Sequence, residues 1–273
     1  DNLNIAYNNL EEYLADLKKA LTTDHPRYKT LGTKVNDEYI QLNTAIIQIE
    51  NEYYSSIRPT RLVGSGERPI NALRDKGIEY VEIRALDNNI YDPFGISDET
   101  AIFLESFLFY CLLSEDQPCE QDEIKKIQSN WGNVVLSGRD KDLKLEFKDG
   151  SFFLRDKAAR IINEMSYLEA RIDNLEYKTI FKKSLETQQN KVNDSNKTTS
   201  GMLIKEIISS DTTWDKYTDD IAKRHKEEIL NLNREVHYLE KQASESLKEF
   251  SRKEADEEKD FDSFLAEYLS AIE

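Results

Sequence analysis

A tyrosine, a glutamate and an arginine alternate along one face of a predicted β-strand, and this row is the part of the sequence best suited to chemistry. The strand is residues 77–87, Gly-Ile-Glu-Tyr-Val-Glu-Ile-Arg-Ala-Leu-Asp, which contain several β-branched residues and end at two asparagines. Because strand side chains alternate between faces, Tyr80, Glu82 and Arg84 project on the same side, about 7 Å apart. Such a row stabilises a fold little, whereas a site that handles a metal ion and a phosphate needs both signs of charge. The other face has an apolar centre and is predicted to pack on helices.

This strand belongs to a basic segment in a chain that is acidic overall. The 273 residues include 53 acidic and 37 basic side chains, a formal net charge of −16, which argues against nucleic acid and anionic membranes as partners. Residues 57–84 have six basic and four acidic side chains, a local balance of 6 − 4 = +2. This balance predicts a site for an anionic ligand; the alternative is a solvated surface on which the excess arose by chance. The six basic residues are Arg58, Arg61, Arg68, Arg74, Lys76 and Arg84.

Glycine and proline divide the chain into two predicted regions. All five prolines and eight of the nine glycines lie before residue 151. This distribution predicts a turn-rich region of mixed structure at residues 1–154 and a helical region at residues 155–273, hence an α+β fold. In the first region we expect a helix at 10–21, a short helix capped by Asn43, strands at 58–63 and 77–87, a helix through Leu113 and a hairpin at Asp149-Gly150.

The helical region has two patterns that predict packing rather than chemistry. A long helix is expected from Trp214 to about residue 255, after a polar, flexible loop at 193–201. A heptad stripe with spacings of 4, 3, 4 and 3 favours an intramolecular helix pair, and it consists of Ile161, Met165, Leu168, Ile172 and Leu175. These helices leave open a non-enzymatic role, as a scaffold or a partner-binding domain.

The two cysteines and the apolar runs of the sequence predict the cellular compartment of the protein. Cys111 lies in an apolar run and is predicted to be a buried core residue, whereas Cys119 lies in a predicted loop. Two cysteines make neither a disulfide framework nor a metal site here, so the reducing cytoplasm is the expected compartment. The most apolar run, residues 101–113, contains Glu105 and is too short to span a bilayer, so no membrane association is expected.

Five short segments follow one another between residues 40 and 96. They are residues 48–54 (Gln-Ile-Glu-Asn-Glu-Tyr-Tyr), 57–61 (Ile-Arg-Pro-Thr-Arg), 65–69 (Ser-Gly-Glu-Arg-Pro), the strand at 77–87, and 92–96 (Asp-Pro-Phe-Gly-Ile). In this order and at these separations, the segments resemble the glutamate–cysteine ligase family of the bacterial type. Weaker similarity includes residues 2–5, 131–134 and 138–139. Members of that family are much longer than this chain, and the resemblance is to their C-terminal half.

The resemblance implies a fold and a reaction. The strands would be part of an open antiparallel sheet of the glutamine synthetase type, backed by the helical region. The reaction would be ATP-dependent ligation of the γ-carboxylate of L-glutamate to the amine of L-cysteine through an acyl phosphate, the first step of glutathione biosynthesis. ATP would be a co-substrate, and Mg²⁺ or Mn²⁺ the cofactor.

Four residues match functional positions of the family. Glu82 matches a metal-coordinating carboxylate; the alternative is a strand residue paired with Arg84 or with a neighbouring strand. Arg84 matches an arginine that holds the transferred phosphoryl group, for which a planar guanidinium is well suited. Tyr54 matches a tyrosine of the cysteine pocket, the alternative being an ordinary core tyrosine. Arg58, like Arg61 and Arg68, falls in a family-like motif; it is assigned to substrate binding without a specific ligand, the alternative being that one of these arginines only braces the loop.

The resemblance also implies that these residues are only part of an active site. The other metal-binding carboxylates of the family, its metal-binding histidine and a further part of its cysteine pocket belong to the N-terminal half. We therefore expect this chain to be a fragment or one piece of a two-part enzyme. It should be inactive alone, and the missing N-terminal half should be its partner.

Overall fold

The computed structural model describes residues 3–64, 66–232, 237–255 and 260–272, which belong to two compact units. One unit spans Asp1–Leu86 and Arg234–Glu273, and the other spans Asp87–Asn233. The predicted division between residues 154 and 155 falls inside the second unit, at a point where a strand runs directly into a helix. The division into a catalytic and a helical region therefore stays a prediction about function.

Helices predominate, and the described strands occur in antiparallel pairs. The α-helices are α1 (Leu10–Thr22), α2 (Pro26–Leu31), α3 (Pro69–Lys76), α4 (Asp98–Leu113), α5 (Gln121–Ser137), α6 (Leu154–Met165), α7 (Leu175–Asn193), α8 (Thr199–Ser209), α9 (Trp214–Asn231), α10 (His237–Ala255) and α11 (Phe261–Ser270). The strands are β1 (Lys34–Val35), β2 (Glu38–Tyr39), β3 (Ile57–Thr60), β4 (Tyr80–Ile83), β5 (Lys144–Phe147) and β6 (Gly150–Phe153), and consecutive strands pair as β1–β2, β3–β4 and β5–β6. The predicted α+β class is confirmed. The described residues alone do not form the wider open sheet that the resemblance implies.

The core of the first unit lies where α1 packs on α3. α1 begins after Asn9, whose side-chain oxygen accepts a hydrogen bond from the amide of Glu12 at 2.8 Å, a favourable capping interaction. The apolar residues of α1 recur every three or four positions and therefore share one face. This confirms the predicted helix at 10–21. The buried cluster contains Tyr13, Leu17, Ala20 and Leu21 of α1 together with Ile5, Ile47, Ile70 and Leu73.

The β3–β4 pair brings together the residues singled out in the sequence. Its register places Arg58 of β3 opposite Glu82 of β4. The regular strand is shorter than predicted, but the pairing extends past its end, because the amide of Arg84 donates to the carbonyl oxygen of Ser56 at 2.8 Å. The apolar face that we expected to pack on helices is partly open to solvent, with Val81 43% exposed. That expectation is therefore wrong for the described part of this unit.

The second unit is built around α4, α6 and α7. Its buried cluster consists of Ile162 and Met165 of α6 with Phe181 and Leu185 of α7, and α4 packs against both helices. The β5–β6 hairpin packs on α5, and the hairpin turns at Gly150 with φ of 133°, a value that favours glycine. This confirms the predicted hairpin.

Two predicted helical patterns are interrupted. α6 ends at Met165, a 3₁₀ helix follows at Ser166–Arg171, and α7 begins only at Leu175. The heptad stripe is therefore not one helix, although most of its members still pack into the buried cluster; Leu175 is 77% exposed. The predicted long helix from Trp214 ends at Asn231. Residues 233–236 in its middle lie outside the described part of the chain.

Three smaller expectations are also wrong. Asn43 does not begin a helix; its side-chain oxygen accepts from the amide of Ala45 at 2.8 Å, and a short 3₁₀ helix forms later, at Glu50–Glu52. The polar stretch 193–201 is partly helical, with a 3₁₀ helix at 195–197 and α8 from residue 199. Cys111 is exposed rather than buried, because α4 is apolar all round and only one side of it is covered.

A helix that crosses a membrane must be both long and apolar. In the part of the chain that the structure describes, no helix combines the length and the apolar character needed to cross a bilayer.

Candidate active site

Arg58 and Glu82 form the centre of the candidate site. Both Nε and Nη2 of Arg58 contact the same carboxylate oxygen of Glu82, Oε2, at 3.1 and 2.9 Å. The third nitrogen, Nη1, donates to the side-chain oxygen of Asn51 at 3.2 Å. The Arg58 side chain is 16% exposed and that of Glu82 is 35% exposed, so this ion pair lies at the edge of the solvent.

Arg84 approaches the same carboxylate more loosely. Its Nε lies 3.3 Å from Oε2 of Glu82, and its Nη2 lies 3.4 Å from Oε1. The guanidinium carbon lies 4.7 Å from the centre of the Tyr54 ring, a cation–π contact. The remaining nitrogen, Nη1, is buried and has no hydrogen-bond partner among the described residues. Since buried polar groups are usually hydrogen-bonded, this donor is suited to an anionic group from a ligand.

The two arginines keep Glu82 ionised. Burial alone would raise the pKa of Glu82. The hydrogen bond from Arg84 and the positive charges of Arg58 and Arg84 together outweigh burial and hold the pKa below its ordinary value. The side chain is therefore a carboxylate at neutral pH, the form that a metal ion requires.

Tyr54 is a surface residue next to Arg84. Its side chain is 78% exposed, so it is not a core tyrosine. It follows the 3₁₀ helix at Glu50–Glu52, the same element that places Asn51 beside Arg58. The structure thus brings all four residues singled out in the sequence into one cluster. Their individual roles stay predictions.

Arg61 has partners within the chain. Its Nη1 donates to the backbone carbonyl oxygens of Lys76 and Gly77 at 2.6 and 3.1 Å, at the C-terminus of α3. A cation is favoured there, because the helix dipole places partial negative charge at that end. Arg61 therefore fixes the chain after β3 to the end of α3.

Arg68 is buried and connects two helices of the first unit. Its Nε and Nη2 contact the two carboxylate oxygens of Glu50 at 3.0 and 2.8 Å, and its Nη1 donates to the carbonyl oxygen of Tyr268 at 3.1 Å. Its guanidinium also lies over the Tyr268 ring, 4.2 Å from the centre. Arg68 thus ties the beginning of α3 to α11, about 200 residues later in the chain.

Asn51 is a member of the site that the sequence did not single out, and it orients Arg58. Its position in the family-like segment 48–54 was the one signal that could have identified it. An open cavity of about 270 Å³ lies beside this group, and its walls include Asn51, Arg58, Thr60 and Tyr80.

The carboxylates of the cluster fit a partial metal site. Among the described residues, no group of three or more His, Cys, Asp or Glu side chains is placed to hold a metal ion. Glu50 binds Arg68, and Glu79 accepts from the amide of Leu62 at 3.2 Å. Mg²⁺ is often held by one or two carboxylates together with substrate phosphates and water. Glu82 therefore fits one ligand of such a site and does not form a site by itself.

Comparisons with known proteins agree with the resemblance seen in the sequence. The family model for glutamate–cysteine ligase matches residues 1–134. The glutamate–cysteine ligase of Alcanivorax borkumensis is 36% identical over 98% of this chain, and that of Pseudomonas entomophila is 38% identical over 97%. The chain belongs to the glutamate–cysteine ligase family. The crystal structure of the glutamate–cysteine ligase from Francisella tularensis in complex with AMP is similar over 99% of this chain, with a TM-score of 0.89 and 32% identity.

The match covers only part of each relative. The chain spans 52% of the Alcanivorax ligase, 51% of the Pseudomonas ligase and 54% of the Francisella chain, about half of their length. A bifunctional glutathione synthetase from Pasteurella multocida is similar over 83% of this chain, with a TM-score of 0.53 and 17% identity. At that identity the similarity shows the fold alone.

Proposed function

We propose that this chain supplies part of the active site of an ATP-dependent glutamate–cysteine ligase. The reaction would join the γ-carboxylate of L-glutamate to the amine of L-cysteine, as the first step of glutathione biosynthesis. The observation that carries this proposal is the buried Nη1 of Arg84, which has no partner in the described part of the chain and lies beside the ionised carboxylate of Glu82. Membership of the family supports it, as does the AMP in the Francisella structure.

The proposed chemistry requires an anion-binding donor such as Arg84. A carboxylate resists nucleophiles, so ATP would first transfer a phosphoryl group to it, and the amine would then displace phosphate from the acyl phosphate. Both steps develop negative charge on phosphoryl oxygens, which a positioned cation must offset. In this proposal Nη1 of Arg84 donates to one phosphoryl oxygen. Nη2, held at only 3.4 Å by Glu82, turns to a second one.

Glu82 is the proposed metal ligand in this chain. Within the described residues its Oε1 has a single contact, at 3.4 Å from Arg84, so its lone pairs remain accessible to a divalent cation. Mg²⁺, or Mn²⁺ in its place, would neutralise phosphate charge when bound. The other ligands would be ATP phosphates, water and side chains from the part of the enzyme that this chain does not include.

The remaining proposals concern the cysteine pocket, the partner and the location of the protein. Tyr54, exposed beside Arg84, is proposed to line the cysteine pocket. The N-terminal half of the enzyme is proposed as the partner that completes the site. The proposed location is the cytoplasm, and the two cysteines of the chain are too few for a disulfide framework, which suits a reducing compartment.

The test is an assay of γ-glutamylcysteine formation with ATP, Mg²⁺, glutamate and cysteine. It compares this chain with the complete enzyme, meaning this chain together with the additional length that its relatives have. We expect no turnover from the chain alone, and turnover from the complete enzyme that Arg84→Gln abolishes. Turnover by the chain alone would contradict an incomplete site. Full activity of Arg84→Gln would contradict the role of Arg84.

A second candidate, a non-enzymatic partner-binding domain, is favoured by α10. All nineteen residues of this helix are exposed, including the apolar side chains of Tyr238, Leu239, Leu247 and Phe250. If this function is correct, the complete protein should show no ligase activity. It should instead form a stable complex that Leu247→Ser abolishes in analytical ultracentrifugation. Ligase activity that survives Leu247→Ser would leave the enzyme proposal as the better account.

A further inference from the structure

Each of the three guanidinium nitrogens of Arg58 contacts an oxygen of the protein, which uses three of its five N–H donors. Its Nε and Nη2 contact Glu82 at 3.1 and 2.9 Å, and its Nη1 contacts Asn51 at 3.2 Å. The guanidinium presents its N–H donors as a rigid fork, and here every nitrogen of that fork already has an oxygen partner among the described residues. A residue that binds substrate needs a donor directed at the ligand. Nη1 of Arg84 has no hydrogen-bond partner among the described residues, whereas each nitrogen of Arg58 has one.

The two oxygens of Glu82 have unequal surroundings. Oε2 has three contacts, at 2.9 and 3.1 Å from Arg58 and at 3.3 Å from Arg84. Oε1 has one, at 3.4 Å from Arg84. A carboxylate oxygen has about two lone-pair sites, so Oε2 is saturated while Oε1 keeps room for a cation.

The two arginines also differ in how firmly they hold this carboxylate. Both contacts of Arg58 are shorter than both contacts of Arg84, and Asn51 orients the Arg58 guanidinium from a second side. An anionic ligand can therefore take Arg84 away from Glu82 while the Arg58 pair persists. The charge of Arg58 then still balances that of Glu82, and its two contacts still fix the carboxylate plane.

We propose that Arg58 is a positioning residue: it holds Glu82 through Oε2 so that Oε1 is presented to a divalent cation, and it does not bind glutamate or cysteine. This inference rests on the proposed function, in which Glu82 is a metal ligand. It differs from the substrate-binding role predicted for Arg58 from the sequence. Substituting a residue that orients a metal ligand commonly weakens metal binding by about 10–100-fold.

The experiment titrates Mn²⁺ into the complete enzyme with a non-hydrolysable ATP analogue and follows free Mn²⁺ by electron paramagnetic resonance. The test variant is Arg58→Lys, which keeps the charge but cannot reproduce the fork that joins Glu82 and Asn51. Arg61→Lys is the matched control, because Arg61 donates to backbone carbonyl oxygens near the same strand. Glu82→Gln tests the metal assignment itself. The KM values for glutamate and cysteine are measured in parallel.

We expect Arg58→Lys to raise the half-saturating Mn²⁺ concentration at least about tenfold. The same variant should leave both KM values within about twofold, and Arg61→Lys should leave the Mn²⁺ titration unchanged. A raised KM for glutamate or cysteine with normal Mn²⁺ binding would overturn the inference in favour of direct substrate binding. If Glu82→Gln weakens Mn²⁺ binding and Arg58→Lys does not, the positioning role alone fails. If neither variant weakens Mn²⁺ binding, the proposed role of Glu82 as a metal ligand fails, and the positioning role of Arg58 fails as well.

Discussion

Arg68→Met should destabilise the first unit far more than the loss of an ordinary surface charge. The Arg68 side chain is 0% exposed and its partner Glu50 is 4% exposed, so the substitution leaves a carboxylate buried without its cation. Removing one partner of a buried ion pair typically costs about 3–5 kcal/mol. The lost contacts with the carbonyl oxygen and the ring of Tyr268 act in the same direction. We therefore expect the free energy of unfolding of this unit to fall by about 3–5 kcal/mol.

A neighbouring pair provides the matched control. Lys76 and Glu67 lie 2.7 Å apart with side chains 49% and 31% exposed. Exposed pairs of this kind contribute about 0.2–1 kcal/mol, so Lys76→Met should be nearly neutral. The double variant Arg68→Met/Glu50→Leu removes both charges, and it should recover much of the loss, because apolar replacements of buried pairs are often neutral or stabilising.

The assay must distinguish the two units. Both tryptophans, Trp131 and Trp214, lie in the second unit, so their fluorescence during urea denaturation serves as an internal reference. Hydrogen exchange of α11 and α3, read by mass spectrometry, reports on the segments that Arg68 joins. We expect faster exchange in both helices for Arg68→Met, with the fluorescence transition little changed. If Arg68→Met costs no more than Lys76→Met, the reasoning from burial is wrong.

Four further predictions concern the site, the first three in the complete enzyme. Glu82→Gln should abolish turnover with little change in melting temperature, since Glu82 is 35% exposed; a large fall in melting temperature with activity retained would favour a structural ion pair. Arg84→Lys should lower kcat by about 10²–10³-fold with smaller effects on KM, because lysine loses the two-pronged contact as charge develops; an unchanged kcat would refute this. Tyr54→Phe should chiefly raise the KM for cysteine, and a change in kcat alone would contradict the pocket role. Finally, carbon-13 NMR should place the pKa of Glu82 below that of an ordinary glutamate and show it rising in Arg58→Gln. Because the folded pKa is the lower one, the stabilisation from Glu82 is present above about pH 4.3 and is lost as the pH falls through the folded pKa.

The parts of the fold that could be predicted are those set by neighbouring residues. The cap of α1 at Asn9 and the turn at Gly150 depend on one or two local conformations, and the sequence contains the residue types that those conformations need. The register of β3 on β4 is different, because it joins Arg58 to a residue 24 positions later and no local pattern specifies it. The positions of the two strands were predictable, although with longer bounds than the structure has.

The ends of the helices were harder to predict, because the spacing of apolar residues does not show whether the helix that carries them is continuous. The stripe from Ile161 to Ile172 reaches one buried cluster whether the backbone is a single α-helix or an α-helix followed by a 3₁₀ helix. No glycine or proline marks the end of α6 at Met165 or of α9 at Asn231. Neither break is therefore marked in the local pattern.

The roles of the basic residues could not be separated by sequence because their partners are distant. The local balance of +2 over residues 57–84 predicted a site for an anionic ligand, yet Glu50, outside that segment, neutralises buried Arg68. The six basic side chains of the segment are matched by five carboxylates, and Glu82 is shared between two of them. The shared partner leaves Arg84 with the looser contacts and with a buried nitrogen that has no partner where the structure describes the chain. The anion-binding role, which the sequence left open among six residues, is therefore proposed for Arg84 alone. The pairs are Arg58–Glu82, Arg61–Glu79, Arg68–Glu50, Arg74–Asp75, Lys76–Glu67 and Arg84–Glu82.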